Sequence, residues 1–220
     1  MAPPIFPKHA GSTVDVSVIP GGKITLSRSF LIKEPVPGHE MINGAPCYSF
    51  LVENKAKGKK LLFDLGLPKA WKEKLPLTLR ETLEQGVSKG WSLDIEKDVA
   101  DHLHETGIPL DSIDAIVWSH HHFDHVGDPS LFPGSTALIV GPGFKTDKST
   151  FPGYPKNPDA KTIDDAFHDR EVVELDFSNA SSEIGGFPAI DYFGDGSFFF
   201  LQTKGHSKYK HLQVLCWNQS

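Results

Sequence analysis

The sequence predicts a mixed α/β fold, α+β in its local order, on three observations. The run Thr13-Val14-Asp15-Val16-Ser17-Val18-Ile19 alternates apolar and polar residues and stops at turn residues, as a half-buried strand does. Ile95, Val99 and Leu103 recur at four-residue spacing, the period of one helix face. Ala115-Ile116-Val117-Trp118 is apolar throughout, as a buried strand is.

In chain order, a start rich in proline (Pro3, Pro4, Pro7) precedes the first strand, which closes at the turn Pro20-Gly21-Gly22. Lys23 to Ile32 reads as the next strand and Lys33 to Gly44 as loop. Cys47 to Glu53 and Lys60 to Asp64 read as a hairpin, with the basic group Lys57-Gly58-Lys59-Lys60 at its tip. Leu75 to Gly86 has helical character broken by Pro76. Ile95 to Thr106 is the stronger helix, with Asp94 placed to cap its start and Gly107 its end. The acidic Asp111-Ser112-Ile113-Asp114 leads into the strand that ends at Trp118, and Thr136 to Val140 is another strand. Gly141 to Pro158 holds Pro142, Pro152, Pro155 and Pro158, too many for a helix, and reads as a long surface loop. Arg170 to Phe177, Ala189 to Phe193 and Ser197 to Gln202 read as successive strands. With no repeat and no linker, residues 1–220 read as a single domain.

Composition narrows the function. The 220 residues are 39% apolar and 23% charged, in keeping with an ordinary soluble protein. A net charge of −6 argues against nucleic acid as a partner, because a binder needs a basic surface. Two cysteines, Cys47 and Cys216, are too few for a disulfide scaffold or a cysteine-zinc knuckle. No apolar run approaches the roughly 20 residues that cross a bilayer, and no signal-peptide core precedes Gly11. A cytoplasmic location with no membrane partner is the expectation. Oligomeric state is not readable.

The chemistry is concentrated in Ser119-His120-His121-His122-Phe123-Asp124-His125-Val126-Gly127-Asp128, where four of the eleven histidines fall within six positions. Neutral imidazole and carboxylate are ligands that a divalent ion such as zinc prefers. On an extended backbone, side chains two apart point the same way, so His120 and His122 are expected to face one ion together. Asp124 and His125 follow in the turn, placed for a second ion or for orienting a water on the first. His121 alternates away and receives no ligand role. A histidine tag or low-complexity tract does not fit an internal run behind an apolar strand with an interleaved aspartate. Trp71, Trp91, Phe144, Phe151 and Tyr154 are read as core or loop-packing residues rather than pocket residues.

The pattern His120-x-His122-x-Asp124-His125 resembles the signature of the metallo-β-lactamase superfamily. Leu61-Leu62-Phe63-Asp64-Leu65-Gly66 resembles that family's first motif, a strand ending in Asp-x-Gly. Gly107-Ile108-Pro109 through Ile113-Asp114-Ala115-Ile116 resembles the lead-in to the histidine strand. Phe200-Leu201-Gln202-Thr203-Lys204-Gly205-His206-Ser207 resembles the segment that supplies a further histidine. The resemblance runs from about residue 47 to 207, closest to the lactonase-like branch and its fungal lactam-hydrolysing relatives. It implies an αβ/βα sandwich and a zinc-dependent hydrolase that opens a small lactone or lactam. It implies His120, His122 and His206 on one zinc ion, Asp124 and His125 on a second, and Asp64 behind them, ordering the histidine loop by hydrogen bonds.

The sequence also departs from the family pattern. Lys204 stands where a proline is usual, and no Asp or Glu follows Asp195. The bridging aspartate and the final histidine that the resemblance implies after the His206 segment are therefore expected to be missing, leaving five of seven expected ligands. Residues 208–220 read as a divergent tail, and the second half of the sandwich as incomplete, with Phe198-Phe199-Phe200-Leu201 poorly covered. The implied mechanism is attack on a carbonyl by hydroxide from a zinc-bound water, Asp124 positioning the water or accepting its proton. No Gly-x-Ser-x-Gly supplies a separate nucleophile. The competing reading is a metal-binding remnant with one zinc and no turnover.

Overall fold

Strands that are apolar at every position can satisfy both faces only inside a layered structure, and this chain builds one. The computed structural model describes residues 11–34, 37–180, 182–203, 205 and 211–216. Within these, the elements run β1 (Asp15–Ser27), α1 (Arg28–Leu31), β2 (Met41–Asn54), β3 (Lys59–Phe63), α2 (Trp71–Lys74), α3 (Leu77–Val87), β4 (Ser92–Asp94) and α4 (Val99–Glu105). They continue with β5 (Ala115–Val117), α5 (Phe123–Val126), β6 (Ala137–Val140), β7 (Val172–Glu174), β8 (Ser182–Ile184), β9 (Phe187–Asp191), β10 (Phe198–Thr203) and β11 (His211–Cys216).

One sheet has the order β4-β1-β2-β3-β5-β6-β7 and the other β11-β10-β9-β8. In the first, β1, β2 and β3 are antiparallel neighbours, whereas β3, β5, β6 and β7 are parallel. Parallel neighbours need crossover connections, and α2, α3 and α4 lie in the one between β3 and β5.

Side-chain alternation sorts the strands between two cores. Leu62, Ile116, Leu138 and Val140 join Leu83, Val99 and Leu103 from the helices. Leu61, Phe63, Ala115, Val117 and Ile139 meet Phe198, Phe200 and Leu212 of the second sheet. Phe199 and Leu201 turn to the outer face, with Ile184, Ala189 and Leu215. The layering agrees with the αβ/βα sandwich expected from the sequence.

Several local expectations are corrected. The predicted strand-turn-strand at Pro20-Gly21-Gly22 is one strand, β1, with register shifts between Pro20 and Lys23 and between Ile24 and Leu26. Glycine lets the chain bulge there rather than reverse, with Gly22 at φ +101°. The first predicted helix starts after Pro76, because proline holds the preceding Leu75 extended. The second is shorter than expected and is capped by Asp98, not Asp94. The Asp98 N–H donates to the Asp101 carboxylate at 3.0 Å, while Asp94 ends β4. Gly107 does follow the helix, at φ +74°. The loop after Gly141 is not purely a surface feature: Phe144 is buried against Trp118, ring centroids 6.0 Å apart. Trp71, Trp91 and Phe151 pack against the same core, as packing residues do.

The tail is also corrected. His211–Cys216 is a strand, paired antiparallel with β10 from Phe198↔Cys216 to Thr203↔His211. Phe198 and Phe200 are 0% exposed and Phe199 and Leu201 buried, so the run expected to be poorly covered is covered on both faces. The alternation Leu212, Val214, Cys216 is what turns one side of β11 to the inter-sheet core.

This makes a stability prediction. Phe200→Ala is expected to cost about 3–5 kcal/mol, since a fully buried aromatic leaves a cavity. Phe187→Ala, 39% exposed in the same sheet, should cost less than about 1 kcal/mol. Urea-denaturation midpoints compare the two, and equal losses would contradict the inter-sheet packing.

Candidate metal centre

β5 ends at Val117, and the histidine segment leaves it as a bend rather than continuing as strand. The strand alternation expected for His120 and His122 therefore does not apply, yet the bend still brings their rings together, with centroids 4.5 Å apart. The rings of His120 and His125 are closer, at 4.2 Å. His121 is buried, its ring centroid 5.1 Å from that of His122. The next four residues form α5, which carries Asp124 and His125, and Phe123 and Val126 anchor it in the core. His206 lies outside the described residues.

The segment is held by the loop after β3. Asp64 sits at φ +58°, a conformation that costs most residues but that aspartate tolerates. Its buried carboxylate accepts the Ser119 N–H on Oδ1 at 2.7 Å and the Ser119 hydroxyl on Oδ2 at 2.8 Å. His125 Nδ1 lies 2.7 Å from the same Oδ2. Two backbone bonds run alongside: Leu65 N–H to His125 O at 2.8 Å, and Gly127 N–H to Gly66 O at 2.9 Å. Trp118 adds a third tie, its Nε1–H donating to Val126 O at 3.0 Å. The role expected for Asp64, ordering the histidine loop by hydrogen bonds, is thus visible in the contacts.

Sequence reading did not single out Ser119. Its hydroxyl is also 3.0 Å from His120 Nδ1, and its carbonyl accepts the Leu212 N–H at 3.0 Å. The signal was a hydroxyl residue immediately before the first histidine, which acquires meaning only once Asp64 is placed beside it. Lys74 was also missed. Its Nζ contacts Ser130 Oγ at 2.6 Å, Asp165 Oδ2 at 2.6 Å and Asp128 Oδ2 at 3.4 Å, tying α2 to the far end of the histidine segment.

The electrostatics follow from the pairing. Burial would push the His125 imidazolium down, but the Asp124 and Asp64 carboxylates on its two sides outweigh this and raise it to about 10. Burial would push the Asp124 carboxyl up, and the His125 and His122 rings overcome that and hold it below the usual carboxylate range. Cys47, distant in sequence, comes close enough to feel the Asp124 charge. Burial, with that charge added, pushes its thiol up to about 12.

The donor set suits zinc in kind, and one pair of donors suits it in spacing. With Nδ1 turned to Asp64, His125 directs Nε2 to within 3.3 Å of Asp124 Oδ2. Two donors sharing a tetrahedral zinc at bond lengths of 2.0–2.1 Å stand about 3.3 Å apart. Among the described residues, no three His, Cys, Asp or Glu side chains converge closely enough to hold an ion by themselves.

Comparison with known proteins gives the family. Residues 42–200 match the metallo-beta-lactamase superfamily. The chain is 42% identical over 214 residues to the gamma-lactamase FDB1 of Fusarium pseudograminearum (strain CS3096), covering 94% of this chain and 50% of that protein. It is 45% identical over 149 residues to the gamma-lactamase MBL2 of Gibberella moniliformis (strain M3125 / FGSC 7600), covering 67% and 59%. The chain thus spans about half the length of these relatives. In fold it is similar to an N-acyl homoserine lactone hydrolase solved with its product, N-hexanoyl-L-homoserine, at the catalytic metal center. That match has a TM-score of 0.63 at 18% identity and covers 94% of this chain and 72% of the other. The matched residues include the Asp64 loop and the whole histidine segment, and on this evidence the chain belongs to the metallo-beta-lactamase superfamily.

Proposed function

We propose that this chain is a zinc-dependent hydrolase that opens a small lactone or lactam ring and acts as a single domain in the cytoplasm. The observation that carries the reading is the Asp64–His125–Asp124 line. Asp64 takes the Nδ1 side of His125 and leaves Nε2 facing Asp124 at 3.3 Å, a ligand pair beside His120 and His122. The names of the two gamma-lactamases favour a cyclic amide, and the lactone hydrolase of like fold favours a cyclic ester. The cytoplasmic location is in keeping with two free cysteines.

In this reading His120 and His122, with His206, would hold one zinc ion, and Asp124 and His125 would hold a second. The chemistry that zinc would supply there is Lewis acidity, toward the substrate carbonyl and toward the attacking water. Asp124 is the residue that orients the attacking water and accepts its proton, because its carboxylate stays ionised despite burial. Asp64 and Ser119 fix the histidine rings. Cys47 is not the nucleophile: a thiol held near 12 is protonated at neutral pH. The competing reading is a metal-binding remnant without turnover.

Elemental analysis of the purified chain and of the His120→Ala/His122→Ala double variant tests the site. The wild type is expected to carry one or two zinc ions per chain and the variant markedly fewer. Equal or absent zinc in both proteins rules the site out. A panel of lactones, lactams and thioesters, assayed with and without chelator, separates the two readings. Hydrolysis that chelation removes and zinc restores supports the enzyme. Zinc without turnover on any of them supports the remnant.

A further inference from the structure

We propose that Ser119 is a positioning residue that passes the hold of the Asp64 carboxylate on to His120, so that one buried carboxylate orients an imidazole in each half of the donor cluster. This rests on the metal-binding reading above and goes beyond it by assigning a residue outside the ligand set.

A serine hydroxyl has a single hydrogen. Here it is donated to Asp64 Oδ2, at 2.8 Å. Toward His120 Nδ1, 3.0 Å away, Ser119 Oγ can then only accept. The hydrogen in that contact belongs to Nδ1, and the His120 lone pair is left on Nε2. His125 would reach the same state once a metal ion displaced the hydrogen from its Nε2, since its Nδ1 faces a carboxylate oxygen that can only accept, at 2.7 Å. Both rings thereby present Nε2 as the donor, His120 through the serine and His125 chiefly through the carboxylate, with the Ser119 Oγ farther off at 3.4 Å from His125 Nδ1. Nothing in the spacing of the histidines demands this.

The serine is placed to perform this role. Its N–H is fixed on Asp64 Oδ1 and its carbonyl on the Leu212 N–H of β11, so the backbone is gripped from both sheets. Trp118 before it is fully buried. Alanine would keep every backbone contact and remove only the relay. Threonine would keep the hydroxyl. A residue with a purely structural role would show no such difference between the two replacements.

The test uses the full chain. Zinc affinities are measured by competition with a chromophoric chelator for the wild type, Ser119→Ala, Ser119→Thr and Asp64→Asn, together with the visible spectra of the cobalt forms. Ser119→Ala is expected to weaken the ion held by His120 and His122 by about 10–100-fold, the usual effect of losing an outer hydrogen-bond partner. The ion at Asp124 and His125 should be little changed, Ser119→Thr should restore the first, and Asp64→Asn should weaken both. Nitrogen-15 spectra of the zinc-loaded wild type add a readout that no folding defect can confuse, with His120 expected to carry its hydrogen on Nδ1. Wild-type affinity in Ser119→Ala, equal weakening of both ions without rescue by threonine, or a hydrogen on Nε2 of His120 would each overturn the proposal. A wild type that binds no zinc overturns the metal reading itself, and this inference with it. Normal zinc binding by the wild type with an indifferent Ser119→Ala overturns the inference alone.

Discussion

Asp124→Asn is expected to lower turnover of a lactone or lactam by about 10²–10⁴-fold, the usual contribution of a positioned general acid or base. Asp64→Asn is expected to lower it by about 10–100-fold, the usual effect of losing a group behind a metal ligand. The difference follows from what each carboxylate faces. Asp124 points Oδ2 at the ring nitrogen that Asp64 leaves over, and its lowered pKa keeps it ionised, with an oxygen open to a proton. An asparagine there has the same shape and cannot take that proton. Asp64 is buried and has its oxygens committed to Ser119 and His125. An asparagine there keeps one acceptor and turns an NH₂ group toward a hydrogen-bond donor. Turnover at saturating zinc, with melting curves for both variants, checks the ranking. A larger loss in Asp64→Asn than in Asp124→Asn would reverse the assigned roles.

Gly66→Ala is expected to cost about 2–5 kcal/mol and to reduce bound zinc with it. Two costs combine. Gly66 stands at φ +66°, which is worth about 1–2 kcal/mol to a residue with a Cβ. The added carbon would also lie 2.4 Å from Gly21 O and 2.5 Å from Gly21 Cα, a backbone contact that no side-chain rotation relieves. Overpacking of this kind adds about 1–3 kcal/mol. Gly44 supplies the control. It has φ +58° and nothing within 4 Å of an added Cβ, so Gly44→Ala should cost only the conformational part. Because the Gly66 carbonyl accepts the Gly127 N–H at the end of the histidine segment, moving one loop moves the other. Denaturant midpoints and zinc content of both variants are the measurement. Equal stability losses would mean that the Gly21–Gly66 approach is not tight.

Much of the fold could be read from local pattern. The hairpin of β2 and β3 followed from turn residues between two apolar runs, and β5 and β6 from apolar runs of strand length. The misreadings share a cause. At Gly21-Gly22, at Asp98 and at His211–Cys216, the deciding contact lies far along the chain: Gly66 against Gly21, β4 taking up Asp94 by pairing with β1, and β10 beside the tail. A local window contains none of these partners. β8, three residues at the edge of its sheet, was missed for the same reason.

What the sequence by itself determined is the donor chemistry: which imidazoles and carboxylates crowd into one segment, and that an Asp-x-Gly turn precedes it. Residue type and close spacing are enough for that, because neighbours six positions apart cannot be far from one another. What only the tertiary structure decided is how those donors are aimed. Asp64 meets His125 across 61 residues because β3 and β5 run parallel in register, Phe63 beside Val117. Ser119 is held between that aspartate and Leu212 because β11 pairs with β10 and reaches across to the first sheet. The direction of an imidazole lone pair is set by whatever accepts the hydrogen on its other nitrogen, and here that acceptor is supplied by sheet register rather than by sequence neighbours.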